Sequence, residues 1–332
     1  MPDLSVIVLN FNGERWLPAC LDALGAQRDA PSFETIVVDN RSTDSSLALL
    51  GSKYPSVRVV ARPTNEGFAG ANNAGARAAA GEWLVFLNND TAADPHWLAR
   101  LRDAAAQHPD HAVLTSRLVL LDDASILDSA GDGYFRAGGA FKRGHRQPAA
   151  TFAESGEVFG ACGAALMIRR ALFAELGGFD ERFFIVYEDV DLSYRARLRG
   201  ARVWYAADAI VRHAGSATMG TISPVAVYHG QRNLEWTWLK NSPASLLCTS
   251  APAHLLYATA GVVHYARLGL GWPALRGKLA ALAGLPATLA ERRRVQRSRT
   301  VSAAELVRWM EPRWLEAKRR EKAQIAAHVT SP

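Results

Sequence analysis

Three groups of residues in this chain of 332 could carry chemistry. Glu188-Asp189-Val190-Asp191 opens a helical pattern that runs to Leu198. A carboxylate there can take a proton from an attacking hydroxyl, although acids also favour the first turn of any helix. Asp39 and Asp90 each close a short apolar run, TIVVD and WLVFLNND. A carboxylate at a strand end can accept a nucleobase N–H, or it can simply open the next turn. The third group is Asn65 to Gly75, where asparagine amides alternate with glycines that let backbone come close to a ligand. The same small residues also suit a helix packed tightly on a sheet.

The elements that must hold these residues are legible as an alternation of strands and helices. Leu4–Leu9, Thr35–Val38, Val57–Ala61 and Trp83–Leu87 read as four buried strands. Helical patterns follow at 16–26, 45–54, 67–80 and 95–107. Such alternation predicts an α/β fold with a mainly parallel central sheet flanked by helices. Ligands of such sheets sit beyond the carboxyl ends of the strands. Four successive ends carry Asn or Asp: Asn10 and Asn12, Asp39 and Asn40, Asn65, and Asn88-Asn89-Asp90. Any one of them could be an ordinary turn or cap residue; four in a row point to a ligand. Residues 110–157 are glycine-punctuated and loosely patterned, as expected of a loop-rich connection with a flap.

Composition places the chain among ordinary globular proteins, with 49% apolar and 21% charged residues. The net charge of +6 favours anionic partners without choosing among them. Cys20, Cys162 and Cys248 form no disulfide framework or zinc spacing. The N-terminus has no secretory pattern, so a reducing, cytoplasmic setting is expected.

Read together, the runs SVIVLNFNG, VVDNRSTD, NEGFAGANNAG and FLNNDT, followed by GGFDE and EDVD, resemble family 2 glycosyltransferases of the GT-A fold. His213 after Ala209-Ile210-Val211, and Gln231-Arg232-Asn233, extend the resemblance to about residues 3–240. The bacterial rhamnosyltransferase-like subgroup is the most similar. The resemblance implies an inverting, metal-dependent hexosyltransferase working in cell-envelope glycan synthesis. Its residues 1–109 would be the nucleotide-binding half and 110–240 the acceptor half. It assigns Asp189 as the base, with Glu188 beside it orienting the base or binding acceptor and Asp191 as a helix-turn residue. Asn10, Asn12, Asp39, Asn65, Gly67, Asn73 and Asn89 would bind the nucleotide sugar. Asn88-Asn89-Asp90 stands where the family has an Asp-x-Asp motif for Mg2+ or Mn2+. Asn88 replaces the first acid, so Asp90 is the motif's anionic ligand, with His213 completing the site. The donor implied is dTDP-L-rhamnose and the acceptor a polyprenyl-linked or polysaccharide glycan; a UDP-hexose donor stays open.

Residues 241–332 read as a helical, basic extension. From Ser242 to Ala266 there is no charged side chain, yet Pro252, Gly261 and two histidines interrupt the apolar pattern. Arginine-rich segments follow at Arg267, Arg276 and Arg292–Arg294. This combination suits a helix lying in the interface of an anionic membrane at the inner face of the cell membrane; packing on the protein and true spanning are the alternatives. Nucleic acid is not expected as a partner. A dinucleotide oxidoreductase would need G-x-G-x-x-G after the first strand and a P-loop enzyme G-x-x-x-x-G-K-[ST]; neither is present. A non-catalytic glycan-binding scaffold is the remaining rival, and the intact Asp39, Asp90 and Asp189 argue against it.

Overall fold

The computed structural model describes residues 1–215 and 223–319; the end of the predicted extension, 320–332, lies outside them. In chain order the elements are β1 (Leu4–Asn10), α1 (Leu17–Gly25), β2 (Phe33–Asp39), α2 (Ser46–Lys53), β3 (Arg58–Ala61), α3 (Gly67–Ala78), β4 (Trp83–Asn88), β5 (Thr91–Ala93), α4 (Trp97–Gln107) and β6 (His111–Leu120). Then come β7 (Leu127–Ser129), β8 (Asp132–Tyr134), β9 (Ala140–Lys142), β10 (Gly156–Val158), β11 (Ala165–Arg169), α5 (Arg170–Glu175), α6 (Glu188–Leu198) and β12 (Arg202–His213). The helices α7 (Pro224–Asn241), α8 (Ala244–Arg267), α9 (Gly271–Ala283), α10 (Leu285–Arg297) and α11 (Ala303–Val307) follow.

The central sheet runs β10-β12-β6-β11-β4-β1-β2-β3, with β5 added to β12 and β7 to β6. Strands β3, β2, β1 and β4 are parallel, as expected from the first hundred residues. Beyond them the sheet is mixed: β11 is antiparallel to both β4 and β6, whereas β6 and β12 are parallel to each other. The helix before β11 that a parallel crossover would need is absent from this region, because Gly160 to Ala164 feeds directly into the strand. The expected parallel character therefore belongs to the first half.

Both faces of the sheet are covered. On one, Leu17, Cys20, Leu21 and Leu24 form the buried stripe of α1 and pack with Trp97, Leu98 and Leu101 of α4 against Val6, Val8 and Val85. On the other, the small residues Ala69 and Ala71 let α3 approach Ile7, Ile36 and Phe86 closely, and Leu192 and Ala196 of α6 join the same core. Helix α6 is buried along nearly its whole length. Asp191 within it is paired with Arg195 at 2.8 Å and with Lys240 of α7 at 2.7 Å. Asp191, expected as a turn residue, is thus a fully buried ionic hub that fixes α6 to α7, and the Asn241 amide donates to it at 2.8 Å.

Register aligns the strand ends. Asn10 lies opposite Asp39, and Leu9 opposite Asn88, so three polar residues meet at one edge of the sheet. At the far side His213 lies opposite Thr91 in the β12–β5 pair, which brings the end of a strand made late in the chain beside Asp90.

Candidate active site

A cavity of about 570 Å³ opens along this edge. It is lined by Asn65, Gly67, Asn88, Asn89, Asp90, His213, Glu188 and Asp189, all but Asn88 among the expected site residues. Residues separated by more than a hundred positions therefore converge, as the strand-end argument requires. Its wall also includes Asn40, Asp132, Lys142, Cys162 and the aromatic side chains of Phe141, Phe184 and Tyr187.

The other expected nucleotide-binding residues stand behind the wall and brace it. Asn10 donates to Asp39 at 3.0 Å and accepts from the Asn89 amide at 2.8 Å. The second oxygen of Asp39 accepts the Ser42 N–H at 3.0 Å. Asn12, left-handed at φ 50°, accepts the Thr43 N–H at 2.7 Å and so ties the ends of β1 and β2 together. Asn73 is placed elsewhere: its amide donates to Phe179 O and accepts from Phe179 N–H, both at 2.9 Å, holding the GGFDE loop. Asn40, by contrast, is in the cavity wall; it donates to Asn65 at 2.9 Å and accepts the Glu66 N–H at 2.8 Å. Gly67 begins α3 at φ +67°, and an added Cβ would collide with Phe184, so only glycine fits there.

Asp90 and His213 meet as the resemblance implies. His213 Nε2 is 3.3 Å from Asp90 Oδ1 and has no hydrogen-bond partner, although it is buried. Nδ1 is bonded to Asp128 Oδ2 at 2.8 Å. A proton on Nδ1 leaves the Nε2 lone pair facing a carboxylate, which is the donor pattern of a histidine oriented for a cation by a second carboxylate. Burial opposes a charged imidazole here, but Asp128 and Asp90 outweigh it and push His213 up to about 9. A divalent ion fits this place, since it would satisfy the orphaned nitrogen and replace that proton. Asp128 is buried, holds Lys142 at 2.9 Å through both oxygens, and sits well below the usual carboxylate range: burial opposes its charge, and its hydrogen bonds from His145 and His213 prevail.

A second cluster lies deeper. Ligand atoms of Asp132, Cys162 and Asp189 fall within 4.8 Å of one another. Burial pushes the Cys162 thiol well above its ordinary value, and a soft sulfur suits neither Mg2+ nor Mn2+; Asp90 with His213 is the better donor set for them. Asp189 Oδ2 accepts the Gly163 N–H at 2.8 Å, and Oδ1 accepts the Val190 N–H at 2.8 Å. Burial raises its pKa while these two donors pull the other way. Glu188 is pushed up further, by burial and then by Asp189, and one of its oxygens has no partner. Burial thus pushes both carboxyl groups toward their protonated forms, Glu188 the more strongly, while the two N–H donors favour the charged form of Asp189.

The turn before them is unusual. Phe184, Val186 and Tyr187 have φ of 64°, 65° and 76°, in the left-handed region. Such residues cost about 1–3 kcal/mol each and persist only where the surroundings fix them.

The sequence did not single out Asp128, Asp132 or Lys142. Two acids four apart among glycines, DSAGDG, were the available signal. It lies in a segment of three-residue strands, β7 paired with the preceding β6 and β8 with the following β9, each too short to show a hydrophobic period.

Comparison with known proteins gives the family and the fold. The sequence model of Glycosyl transferase family 2 matches residues 5–177. An O-antigen biosynthesis protein, RfbC, of Myxococcus xanthus is 31% identical over 240 residues, which is 68% of this chain and 18% of that protein. The chain thus spans under a fifth of that relative. An N-acetylglucosaminyl-diphospho-decaprenol L-rhamnosyltransferase of Mycobacterium tuberculosis is 29% identical over 254 residues, covering 68% of this chain and 81% of that one. Among solved structures, Staphylococcus aureus TarS 1-349 in complex with UDP-GlcNAc aligns with a TM-score of 0.54 and 21% identity over 89% of this chain and 91% of that one. The mannosyltransferase PcManGT of Pyrobaculum calidifontis, with GDP-Man and Mn2+, aligns with a TM-score of 0.52 and 20% identity, covering 92% and 85%. At these identities the structures show the fold alone, and that fold is GT-A.

Proposed function

The chain belongs to glycosyl transferase family 2, and on that premise we propose that it is an inverting, metal-dependent glycosyltransferase with Asp189 as its base. The observation that carries this reading is the convergence of Asp189, at the head of α6, and the Asp90–His213 pair on one cavity. The acceptor hydroxyl gives its proton to Asp189 as its oxygen attacks the anomeric carbon. The new C–O bond forms on the face opposite the departing diphosphate, so one displacement inverts the centre. Glu188, whose carboxyl burial pushes toward the protonated form, stands beside the base on the cavity wall and orients the acceptor by a hydrogen bond. Asp90 and His213 would hold a Mg2+ or Mn2+ ion, which supplies neutralisation of the negative charge that develops on the diphosphate. The nucleotide lies against Asn65, Gly67 and Asn89; Asn10, itself bonded to Asp39, holds Asn89, and Asn40 holds Asn65 and Gly67.

The donor we favour is dTDP-L-rhamnose and the acceptor a lipid-linked glycan, because a relative matched over most of its length carries an L-rhamnosyltransferase name with a decaprenol-linked substrate. We read 1–240 as the catalytic unit and 241–332 as its extension. Helix α8 is long and apolar enough to cross a membrane. One face is nevertheless packed on the protein: His254 stacks on Trp238 at 3.7 Å and bonds Glu235 at 2.8 Å. Leu255, Leu256, Trp272, Leu279 and Leu282 stay exposed on α8 and α9. From Ser242 to Ala290 there is no acid, while Arg267, Arg276 and Lys278 are present. This supports α8–α10 lying on an anionic membrane surface rather than crossing it. A donor screen of dTDP-rhamnose, UDP-hexoses and GDP-mannose, read by release of free nucleoside diphosphate, tests the reading. Release from dTDP-rhamnose is expected; release from no nucleotide sugar overturns it.

A further inference from the structure

The chain enters the catalytic pair through a turn that its own residues do not favour. Phe184, at φ 64° and ψ −68°, centres a γ-turn closed by Ile185 N–H donating to Phe183 O at 2.8 Å, a rare and strained form. Val186 is β-branched and left-handed at φ 65°, where such a residue is a true outlier. Tyr187, at φ 76°, is the last residue before Glu188.

One side chain gathers this turn. Asn233 of α7 is fully buried, and its Nδ2 lies 2.9 Å from Phe183 O, 2.8 Å from Ile185 O and 2.6 Å from Val186 O. Its Oδ1 accepts from Arg232 Nε at 2.9 Å, which fixes the sense of the amide. Arg232 Nη2 donates in turn to Arg182 O at 2.8 Å and Phe183 O at 2.9 Å. On the opposite side Phe184 O accepts the Ala69 N–H at 3.2 Å, beside Gly67 in the nucleotide wall. The turn therefore spans from the donor side of the cavity to its base, and Asn233 is the group that holds its carbonyls together.

We propose that Asn233 is a positioning residue for the catalytic carboxylates: it fixes the left-handed Phe183–Tyr187 turn and thereby sets where Glu188 and Asp189 enter the cavity. This rests on the assignment of Asp189 as the base. Asn233 touches neither the cavity nor any reacting atom, so its effect must pass through the turn.

The test compares Asn233→Ala and Asn233→Asp with the wild-type full chain. Loss of alignment at a base lowers kcat on the order of 10²-fold, and the KM for donor should move much less. Aspartate keeps the shape of asparagine but turns an oxygen toward three carbonyl oxygens, so Asn233→Asp should lose more than Asn233→Ala. In an Asp189→Asn background the further loss from Asn233→Ala should nearly vanish, because the group being positioned is gone. Hydrogen exchange of 183–190 should rise in both single variants while the β1–β4 strands keep their protection. Unchanged kcat and exchange in Asn233→Ala, or losses that simply multiply with Asp189→Asn, would overturn the proposal. A general loss of folding would appear as faster exchange throughout, and would overturn it too. If the wild type turned over no nucleotide sugar, the assignment of function would fail instead, and exchange in 183–190 would still decide whether Asn233 holds the turn.

Discussion

Replacing Asp128 by asparagine removes a charge from behind His213 while keeping a hydrogen-bond acceptor of the same shape. Asp128 is bonded to His213 Nδ1 at 2.8 Å and, with Asp90 at 3.3 Å from Nε2, pushes the imidazole from 6.5 up to about 9. A shift of that size corresponds to roughly 3 kcal/mol favouring the protonated ring. An ion binding Nε2 must displace that proton, so metal affinity should rise about tenfold per pH unit through the range below 9. Without the Asp128 charge the ring falls back toward its ordinary pKa, and the dependence should flatten above pH 7. The ring also loses an anionic orienting partner, which costs about 10–100-fold in affinity. The two effects oppose each other at low pH: the variant should be 10–100-fold weaker at pH 9, and the gap should close or reverse by pH 6, where its lighter proton competition is worth about 10²-fold. Titration of free Mn2+ by electron paramagnetic resonance, from pH 6 to 9 on both proteins, measures this. A flat profile in the wild type would refute His213 as a ligand, and superimposable profiles would refute the role of Asp128.

Lys240 is almost completely buried between Asp180 and Asp191, 2.7 Å from each. Lys240→Met leaves those carboxylates without their shared cation, at a cost of about 3–5 kcal/mol. In calorimetry this should appear as a fall in Tm of roughly 4–7 °C for a chain of this length, and a change under about 1 °C would contradict it. Leu256→Glu combined with Leu279→Glu should abolish co-sedimentation with anionic vesicles while leaving donor turnover in solution unchanged; undiminished binding would remove α8 and α9 as the docking face.

How much of this was legible in the sequence depended on the range of the forces involved. The strands β1 to β4 and their helices follow from local periodicity, and the strand-end rule placed Asn65, Gly67, Asn89 and Asp90 in the cavity. That rule could not separate the residues that face a ligand from those that brace them. Asn10 and Asp39 are the same residue types as the cavity-facing Asn89 and Asp90 but are engaged with each other, and Asn12 is engaged with Thr43. Asn73 points back toward Phe179 because α3 turns that face to the GGFDE loop. The mixed half was less readable, since the direction of β11 is decided by its pairing with β4 and β6, and the three-residue strands β7, β8 and β9 are too short to show a period. Asp128, Asp132 and Lys142 were missed for that reason. Asp191 read as a helix-start acid because nothing local shows that Lys240 will be buried against it.

The central claim is that Asp189 deprotonates the acceptor in a single displacement at a metal-assisted site. Release of nucleoside diphosphate from the preferred donor, with acceptor and Mn2+ present, tests it most directly when wild type is compared with Asp189→Asn. The expected result is a kcat lower by about 10²–10⁴-fold, with donor affinity retained and full loss of turnover on chelation in the wild type. Equal turnover by the two proteins, or wild-type turnover indifferent to chelator, would contradict it.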